Sequence, residues 1–537
     1  MHQVYEIIGF LGRGGFGAVQ HARHRLSGLD RAIKQVACDS VEALFEVEAL
    51  MDLDHPNVVR MYEYYTGEDV VHIVQEYCSG QTLEKHVRAQ PGGRLAPEEA
   101  GVVLRQILRA LLCCHAHGLA HRDLKPDNFV YGSKDATAPL KLIDFGLSLG
   151  PLSLARPPAY VAAAGTLEHT APETLPTRDE KGRLLRAASY SCASDLWSVG
   201  AIFFWLVTGE PLVTLEDTSF DAEGGGMGGP DDSAEFGRLM NAVIDGRERD
   251  VFDEVAGKVR SDRFLSRRLA LARRRAPEAA CDLLEQLLRR DPAERITAAA
   301  ALKHRFIADS YAHAGRRPSF SAFDEPMLDN MRRFAGYPAL RRLAIVVEAH
   351  MLTPKDDAAI RRAHHAFRAA EESGEGVLSV DEIGAALASH GHDVPPDLER
   401  IWTQIDLDRR GNVNLLEFVA ATMEPRITRD ARLCKTAFRV LDADQDGYIT
   451  QADLERILVA APGGGAEVAA SRAKGAAAIL ASARPDAQGR VSLARFCEVM
   501  QDDAGAAAAL VDEVFALDKG GAPQKGHHDN ERATKET

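Results

Sequence analysis

The sequence predicts an α+β domain of two lobes, followed by an all-α domain built from repeated helix–loop–helix units. Three observations carry this prediction. A glycine-rich turn lies between two strand-like segments near the N-terminus, a polar motif fills residues 121–128 after a long helical pattern, and glycines recur at intervals of 35, 36 and 42 residues between Gly376 and Gly489. Alternating apolar residues indicate strands, and apolar residues three or four positions apart indicate helices.

Composition is typical of soluble globular proteins and excludes several functions. A chain of 537 residues is too long for one hydrophobic core. The formal net charge of −15 argues against nucleic-acid binding. The longest apolar run, Val199 to Val207, is too short to cross a bilayer, and His2 replaces the glycine that N-myristoylation requires, so no membrane anchor is expected. The eight cysteines show no C-x-x-C spacing, which predicts reduced, buried thiols in a cytoplasmic or nuclear protein.

The glycine-rich turn follows a first predicted strand, Tyr5 to Leu11. Its glycines let backbone N–H groups approach phosphates closely, where side chains would clash. The same glycines would also suit a dinucleotide-binding turn. Val19, two residues after the last glycine, and Ala32-Ile33-Lys34 on a following strand favour the glycine loop of protein kinases.

A segment of eight residues follows a predicted helix (about Pro97 to His117) and contains a candidate base, a cation and a metal-ligating amide. Its sequence is His121-Arg122-Asp123-Leu124-Lys125-Pro126-Asp127-Asn128. Asp123 can accept a hydroxyl proton, Lys125 can neutralise a phosphate, and the amide oxygen of Asn128 suits Mg²⁺. Asp144 follows an apolar strand 21 residues after Asp123, which places it at the same site. The stretch resembles the protein-kinase catalytic loop, and Asp144-Phe145-Gly146 resembles the kinase D-F-G motif.

The resemblance implies the remaining roles at the site. Lys34 would bind the α- and β-phosphates and pair with Glu46 of the helix predicted from Ser40 to Asp52, with Glu48 as the competing partner. Asp144 and Asn128 would hold Mg²⁺. The residues expected to contact ATP are Leu11, Gly12, Arg13, Gly14, Gly15, Phe16, Gly17, Ala18, Val19, Ala32, Lys34, Glu76 and Cys78.

The resemblance continues through the activation segment, with two departures. Thr166 precedes Ala171-Pro172-Glu173, and Arg295 would be the ion-pair partner of Glu173. The Gly/Asp-rich run from Asp221 to Asp232 is predicted to be an inserted loop without a core. The basic run Arg273-Arg274-Arg275 suits either a docking patch or a solvated helix face.

A basic helical segment links this domain to the repeats. One short helix is expected over Met327 to Phe334. A second begins near Ala339, with a predicted apolar stripe and with Arg341 and Arg342 off that stripe. The stripe comprises Leu340, Leu343, Ala344, Val347 and Met351. Such a helix can lie in a groove, or it can be an ordinary packing helix.

The repeats contain four candidate calcium loops of the EF-hand kind, which needs oxygen ligands at positions 1, 3, 5, 7, 9 and 12 and glycine at position 6. The third loop fits best, with Asp453 in place of the usual glutamate at position 12. Its expected ligands are Asp442, Asp444, Asp446, Tyr448 and Asp453. The second loop has Arg410 at position 5. Its expected ligands are Asp406, Asp408, Asn412, Asn414 and Glu417.

The first and fourth loops depart further from the pattern. Glu371 to Glu382 begins with glutamate and has Ser373 at position 3, which predicts weak binding. The fourth loop places Arg484 and Arg495 at positions 1 and 12, which excludes the usual coordination. Apolar residues after position 7 survive in all four loops and predict a short β-bridge within each pair of loops. They are Leu378, Val413, Ile449 and Val491.

Taken in order, these parts resemble the calcium-dependent protein kinases: a bilobal protein kinase fold, then an all-α, calmodulin-like EF-hand domain. The expected boundaries are 5–307 for the kinase domain, 308–352 for an autoinhibitory junction, 353–502 for four EF-hand units in two lobes, and 503–537 for a helix and disordered tail. The resemblance implies a serine/threonine kinase that uses ATP, Mg²⁺ and Ca²⁺, acts on protein substrates, and is released when the EF-hands bind the junction. A calcium-independent active kinase and a calcium-sensing pseudokinase scaffold are the alternatives.

Overall fold

The structure is a computed structural model. It describes residues 1–14, 17–38, 41–51, 53–135, 138–149, 167–175, 177–178, 184–186, 191–213, 255–313, 324–371, 373–389, 393–407, 409–457, 466–501 and 504–517. The predicted insertion at 221–232 and the polar tail from residue 519 lie outside these ranges. The chain forms two compact units, Met1–Asp324 with Thr353–Phe418, and Glu325–Leu352 with Val419–Thr537. The units therefore do not follow the linear order of the predicted domains.

A five-stranded antiparallel sheet forms the N-terminal lobe of the first unit, in the order β1-β2-β3-β5-β4. The strands are β1 Tyr5–Gly14, β2 Gly17–His24, β3 Asp30–Ala37, β4 Met61–Thr66 and β5 Val70–Glu76, with helix α1 Val41–Met51 between β3 and β4. A buried apolar cluster joins α1 to the sheet and comprises Val36, Ala43, Val47, Val71 and Ile73. β1 is longer than expected because it continues through the glycines and pairs with β2 as far as Gly14.

The C-terminal lobe is mainly helical. Its helices are α2 Leu83–Arg88, α3 Pro97–Ala116, α4 Cys192–Thr208, α5 Asp262–Arg275, α6 Glu278–Leu287, α7 Ala298–Leu302 and α8 Arg305–His313, and its short strands are β6 Phe129–Tyr131, β7 Leu140–Leu142, β8 Thr177–Arg178 and β9 Leu184–Arg186. α4 is the central helix, buried from Ser194 to Thr208 as its apolar run predicts. At Gly200 a Cβ would lie 2.8 Å from Leu288 Cδ2, so glycine permits the close packing of α4 there.

After α8 come α9 Glu325–Gly336 and α10 Ala339–Met351, which belong to the second unit. The chain then returns to the first unit for two helix–loop–helix units. Their elements are α11 Ala358–Ala370, β10 Val377–Leu378, α12 Val380–Ser389, α13 Leu398–Ile405, β11 Val413–Asn414 and α14 Leu415–Thr422. β10 pairs with β11, with Leu378 opposite Val413, which confirms the predicted bridge between the first two loops.

The rest of the second unit repeats this arrangement. Its elements are α15 Pro425–Thr428, α16 Ala431–Leu441, β12 Tyr448–Ile449, α17 Gln451–Ile457, α18 Ala466–Ser482, β13 Val491–Ser492, α19 Leu493–Val499 and α20 Ala504–Ala516. Ile449 pairs with Val491, so the second predicted bridge is also confirmed. α10 packs against α16 and α18. α20 is the helix expected at the start of the tail.

The predicted apolar stripe of α10 is wrong in part. The buried residues are Leu340, Arg341, Ala344, Ile345, Glu348, Ala349 and Met351. Leu343 and Val347 are only half-buried, whereas Arg341, expected off the stripe, is 3% exposed. The guanidinium of Arg341 stacks 3.7 Å from the centre of the Tyr337 ring. The packed face includes two ionisable residues, Arg341 and Glu348, so a stripe chosen by apolarity alone is rotated from it.

Cysteine burial was also overestimated. All eight cysteines are free thiols, as expected, but Cys38 is exposed, and Cys78 and Cys192 are half-buried. Cys38 lies just after β3 ends at Ala37, where the chain leaves the sheet. Among the described residues, no helix combines the length and the apolar character needed to span a membrane.

Candidate active site and calcium loops

Lys34 is a buried charged residue of the five-stranded sheet. It lies on β3 between Val19 of β2 and Ile73 of β5, and it is 5% exposed. Its Nζ donates to Glu46 Oε1 at 2.8 Å and Oε2 at 2.7 Å, and Glu46 is fully buried on α1. Glu48, the competing candidate, is half-buried on the same helix. The structure thus brings Lys34 and Glu46 together.

Asp144 reaches the same ammonium group from the C-terminal lobe. Lys34 Nζ lies 2.5 Å from Asp144 Oδ1. Asp144 follows β7 with a φ of 64°, a left-handed conformation that turns the chain directly after the strand. Burial favours the neutral acid, but the positive charge of Lys34 outweighs it and holds the pKa of Asp144 below its ordinary value. Asp144 is therefore an anionic ligand at neutral pH.

The catalytic-loop residues lie close to one another. Asn128 Nδ2 donates to the Asp123 backbone oxygen at 2.7 Å and to Asp123 Oδ2 at 3.2 Å, which orients the amide oxygen of Asn128 away from Asp123. Lys125 Nζ lies 3.7 Å from Asp123 Oδ2. Asp123 is 8% exposed and Asn128 4% exposed, so both are held in a largely dry environment. Amide and carboxylate oxygens of this kind fit Mg²⁺.

Asp195 is a positioning residue that the sequence analysis missed. Its Oδ2 accepts from the backbone N–H of His121, and its Oδ1 accepts from that of Arg122, both at 3.0 Å. His115 Nε2 lies 2.9 Å from Asp195 Oδ2. Arg122 has a φ of 73°, so these hydrogen bonds hold a strained turn directly before Asp123. A lone carboxylate at the start of the otherwise apolar α4 was the available signal.

The glycine-rich turn is described on both sides of its tip. Gly12 pairs with Val19 and Arg13 pairs with Ala18, while the expected ATP contacts Gly15 and Phe16 lie outside the described residues. A Cβ on Gly17 would overlap the backbone oxygen of Gln35, so β2 approaches β3 too closely there for any side chain. Apart from its chain neighbours, no described residue has an atom within 4 Å of a Cβ built on Gly12, so that part of the structure leaves space beside this backbone.

The expected adenine-binding segment lies at the end of β5. The N–H of Glu76 already donates to Arg60 O at 2.8 Å, so it is not available to a base. The Glu76 carboxylate pairs with Lys141 Nζ at 2.7 Å. Burial raises the pKa of Cys78 to about 12, so its thiol is neutral. Ala32 is buried, whereas Leu11 is exposed.

Beyond the activation segment, the structure pairs Glu173 with Arg295. Arg295 Nη1 donates to Glu173 Oε1 at 2.7 Å, and Nη2 donates to Oε2 at 3.0 Å. The guanidinium also lies 5.5 Å from the centre of the Trp197 ring on α4. This bidentate ion pair therefore connects Glu173, at the end of the activation segment, to an arginine that packs on the buried helix α4. Thr166 lies outside the described residues.

The third calcium loop has the strongest metal-binding geometry. Oxygens of Asp442, Asp444 and Asp453 all lie within 4.8 Å of one another. Asp453 Oδ2 accepts from the N–H of Thr450 at 2.9 Å, whereas its Oδ1 is buried without a hydrogen bond in the described part of the chain. Burial and the nearby carboxylates of Asp446 and Asp453 raise the pKa of Asp442. A cation would relieve both features, so the residues fit calcium.

The second loop shares the backbone but not the full ligand set. Gln445 of the third loop and Arg409 of the second, both at position 4, have φ values of 59° and 58°. Asp406 accepts from the N–H groups of Arg410 at 3.1 Å and Gly411 at 2.8 Å. Glu417 Oε1 accepts from the N–H of Leu407 at 2.8 Å. Asp408 lies outside the described residues, and Asn412 and Asn414 remain ligand candidates.

The fourth loop uses arginine where a metal ligand would stand. Arg495 Nε donates to Ala483 O at 2.9 Å, and its guanidinium also pairs with Glu498 at 2.5 Å. Arg490 lies 4.0 Å from the centre of the Tyr448 ring of the third loop. Arg495 thus bonds within the fourth loop, whereas Arg490 and the Ile449–Val491 pair connect that loop to the third.

Known proteins share sequence similarity with most of this chain. The protein kinase domain family model matches residues 5–307, more than half of the chain. Calcium-dependent protein kinase 5 of Plasmodium falciparum is 28% identical over 464 residues, covering 85% of this chain and 72% of the relative. Calcium-dependent protein kinase 32 of Arabidopsis thaliana is 29% identical over 500 residues, covering 91% and 80%. Calcium-dependent protein kinase 2 of Zea mays is 26% identical over 513 residues, covering 93% and 86%.

Proposed function

Because the chain belongs to the protein kinase family, and within it to the calcium-dependent protein kinases, we propose that it transfers the γ-phosphate of ATP to serine or threonine hydroxyls of proteins under calcium control. One observation carries the proposal: Lys34 joins Glu46 of the N-terminal lobe to Asp144 of the C-terminal lobe. This is the arrangement that positions a nucleotide between two lobes.

The catalytic roles follow from the groups in the cleft. Asp123 orients the substrate hydroxyl and accepts its proton, because it is an acceptor held rigidly by the backbone turn that Asp195 supports. Lys125, 3.7 Å from Asp123, carries positive charge to the transferred phosphoryl group. Burial opposes the charged form of Lys34, but Glu46 and Asp144 outweigh it and raise the pKa of Lys34, so the ammonium is charged whenever nucleotide binds.

Asp144 and Asn128 are the residues that would hold Mg²⁺. The bound metal supplies positive charge that offsets the charge on the phosphates. Asp144 meets this role because Lys34 holds its pKa low, and Asn128 meets it because its NH₂ group is engaged by Asp123. Both side chains are fixed before the substrate arrives, which lowers the entropic cost of assembling the site.

Calcium control is proposed to act through the third loop and the junction. Asp442, Asp444 and Asp453 form the primary switch, with the second loop as a weaker site. The junction, Met327 to Met351, inhibits the kinase until calcium favours its binding by the EF-hand units. Packing of α10 against α16 and α18 supports this intramolecular partnership, since α16 leads directly into the third loop.

Phosphotransfer from ATP to a serine/threonine peptide, measured with calcium and with chelator, tests the proposal. Wild type is expected to be active with calcium and nearly inactive without it, whereas Asp123→Asn and Lys34→Met abolish transfer in a folded protein. Equal activity in calcium and chelator would favour a calcium-independent kinase. Calcium binding without transfer would favour a pseudokinase scaffold. Autoinhibition predicts calcium-independent activity for a truncation ending near residue 322, and a folded truncation no more active than the calcium-free full chain would refute it.

A further inference from the structure

The first calcium loop and the kinase lobes belong to one compact unit, and the carboxylate at the first position of the loop forms an ion pair with the kinase. Glu371, at loop position 1, is 1% exposed. Its Oε1 accepts from Ser373 Oγ at 2.9 Å and from the N–H of Gly374, and its Oε2 forms an ion pair with Arg109 on α3. The Arg109 side chain is 6% exposed. A buried arginine thus neutralises the carboxylate that a calcium ion would need.

The other end of this loop is also engaged within the protein. Glu382, at position 12, accepts from the N–H of Ser379 at 2.9 Å and from that of Ser373 at 3.3 Å. Position 3 is Ser373, which carries no charge. Glu375, at position 5, is exposed. With Glu371 paired to a cation, the loop lacks the concentrated negative charge seen in the third loop.

Two glycines of the loop touch the kinase directly. A Cβ on Gly374 would lie 2.8 Å from Leu302 Cδ1 and 3.4 Å from Arg109 Cγ, and one on Gly376 would lie 2.5 Å from His55 Cδ2. Both have positive φ, at 82° and 81°. Backbone conformation and lack of space therefore both require glycine, as expected where a turn is pressed against another surface.

The segment before the loop, which comprises α11 and the residues just before it, continues the contact to the other kinase lobe. Lys355 lies 3.7 Å from Asp30 of β3 and 4.3 Å from the centre of the Tyr77 ring after β5. Arg361 pairs with Asp135 at 3.7 Å. His364 is 5% exposed, and burial, with Arg60 nearby, holds its pKa well below the ordinary value. Residues 355–371 and 373–376 thus contact both lobes of the kinase.

We propose that residues 355–371 and 373–376 form a latch that fastens the first EF-hand unit to both kinase lobes without calcium, with the Arg109–Glu371 ion pair as its anchor. The latch is a fixed part of the kinase, so calcium responses arise in the other loops. The effect of the latch on kinase activity rests on the proposed function. The latch itself does not, because calcium binding and hydrogen exchange can be measured without turnover.

The test compares the full-length wild type with Glu371→Gln and with the matched control Glu375→Gln, which alters an exposed carboxylate four residues away in the same loop. Calorimetry counts bound calcium, and hydrogen exchange with mass spectrometry follows α11 in chelator. The number of calcium ions should be the same in all three proteins. Exchange in α11 should rise at least tenfold in Glu371→Gln and stay unchanged in Glu375→Gln.

Two results would overturn the proposal. Loss of one bound calcium in Glu371→Gln would make the first loop a metal site, and unchanged exchange in α11 would remove the anchor. If Glu371→Gln fails to fold, the charge-swapped protein with Arg109→Glu and Glu371→Arg replaces it. Restored folding with slow exchange in α11 supports the ion pair as the anchor, and failure to fold despite the swap counts against it.

Discussion

Glu46→Gln is the most informative single change in the active site, because it removes one charge and keeps the size of the side chain. Glu46 is fully buried, and its two oxygens hold the Lys34 ammonium at 2.8 and 2.7 Å. Breaking a buried ion pair costs about 3–5 kcal/mol. Lys34 keeps Asp144 at 2.5 Å as a second partner, so we expect the lower end of that range. The rate should fall for a separate reason, because a misplaced ammonium no longer stabilises the phosphates in the transition state, and losing one such electrostatic group typically costs on the order of 100-fold in rate.

The loss should appear in kcat/KM for ATP. Without Glu46, the Lys34 ammonium should move toward Asp144, away from the phosphates, and should pair with the carboxylate that would bind Mg²⁺. Steady-state kinetics in calcium, with thermal unfolding to verify folding, measure it. Glu48→Gln is the matched control, because Glu48 is half-buried on the same helix, and its kcat/KM should change less than about twofold. A folded Glu46→Gln protein within threefold of wild type, or an equal loss in Glu48→Gln, would refute the assignment.

Three further predictions concern the second unit. Asp442→Ala should abolish calcium activation or raise the calcium concentration needed for it at least about tenfold, whereas Arg495→Ala should change that concentration less than about twofold. Calcium titrations of kinase activity compare the two variants. Asp453→Glu should lower the calcium needed by a few-fold, since the longer side chain restores bidentate reach; calorimetry showing weaker binding would contradict this. Burial, with the charge of Asp430, raises the pKa of Glu348 well above its ordinary value. The stability of the wild-type protein is therefore fully present below the pKa of Glu348 in the unfolded chain, about 4.3, and is lost as pH rises through its pKa in the folded protein. Glu348→Gln should therefore raise the unfolding temperature by on the order of 5 °C at pH 8 and little at pH 4, and equal shifts at both pH values would exclude the titration.

Local motifs made much of the active site predictable. The positions of Lys34, Asp123 and Asp144 followed from short patterns, because phosphate and metal chemistry demands particular residues at fixed spacing. The Arg109–Glu371 pair was not predictable, since its members lie 262 residues apart, and the patterns that predict the helix and the loop do not indicate that the two meet. The role of Asp195 was not predictable either, because nothing in its sequence neighbours indicates which backbone groups it accepts from.

The path of the chain between the two units also sets the strength with which the junction must bind. Residues 325–352 interrupt the first unit in sequence, so both ends of this 28-residue segment are joined through the chain to the first unit. A segment held in this way meets its partner surfaces at an effective concentration of about a millimolar. Under the proposed autoinhibition, the junction therefore needs no high intrinsic affinity for the kinase, and the same segment added as a free peptide would compete only near that concentration.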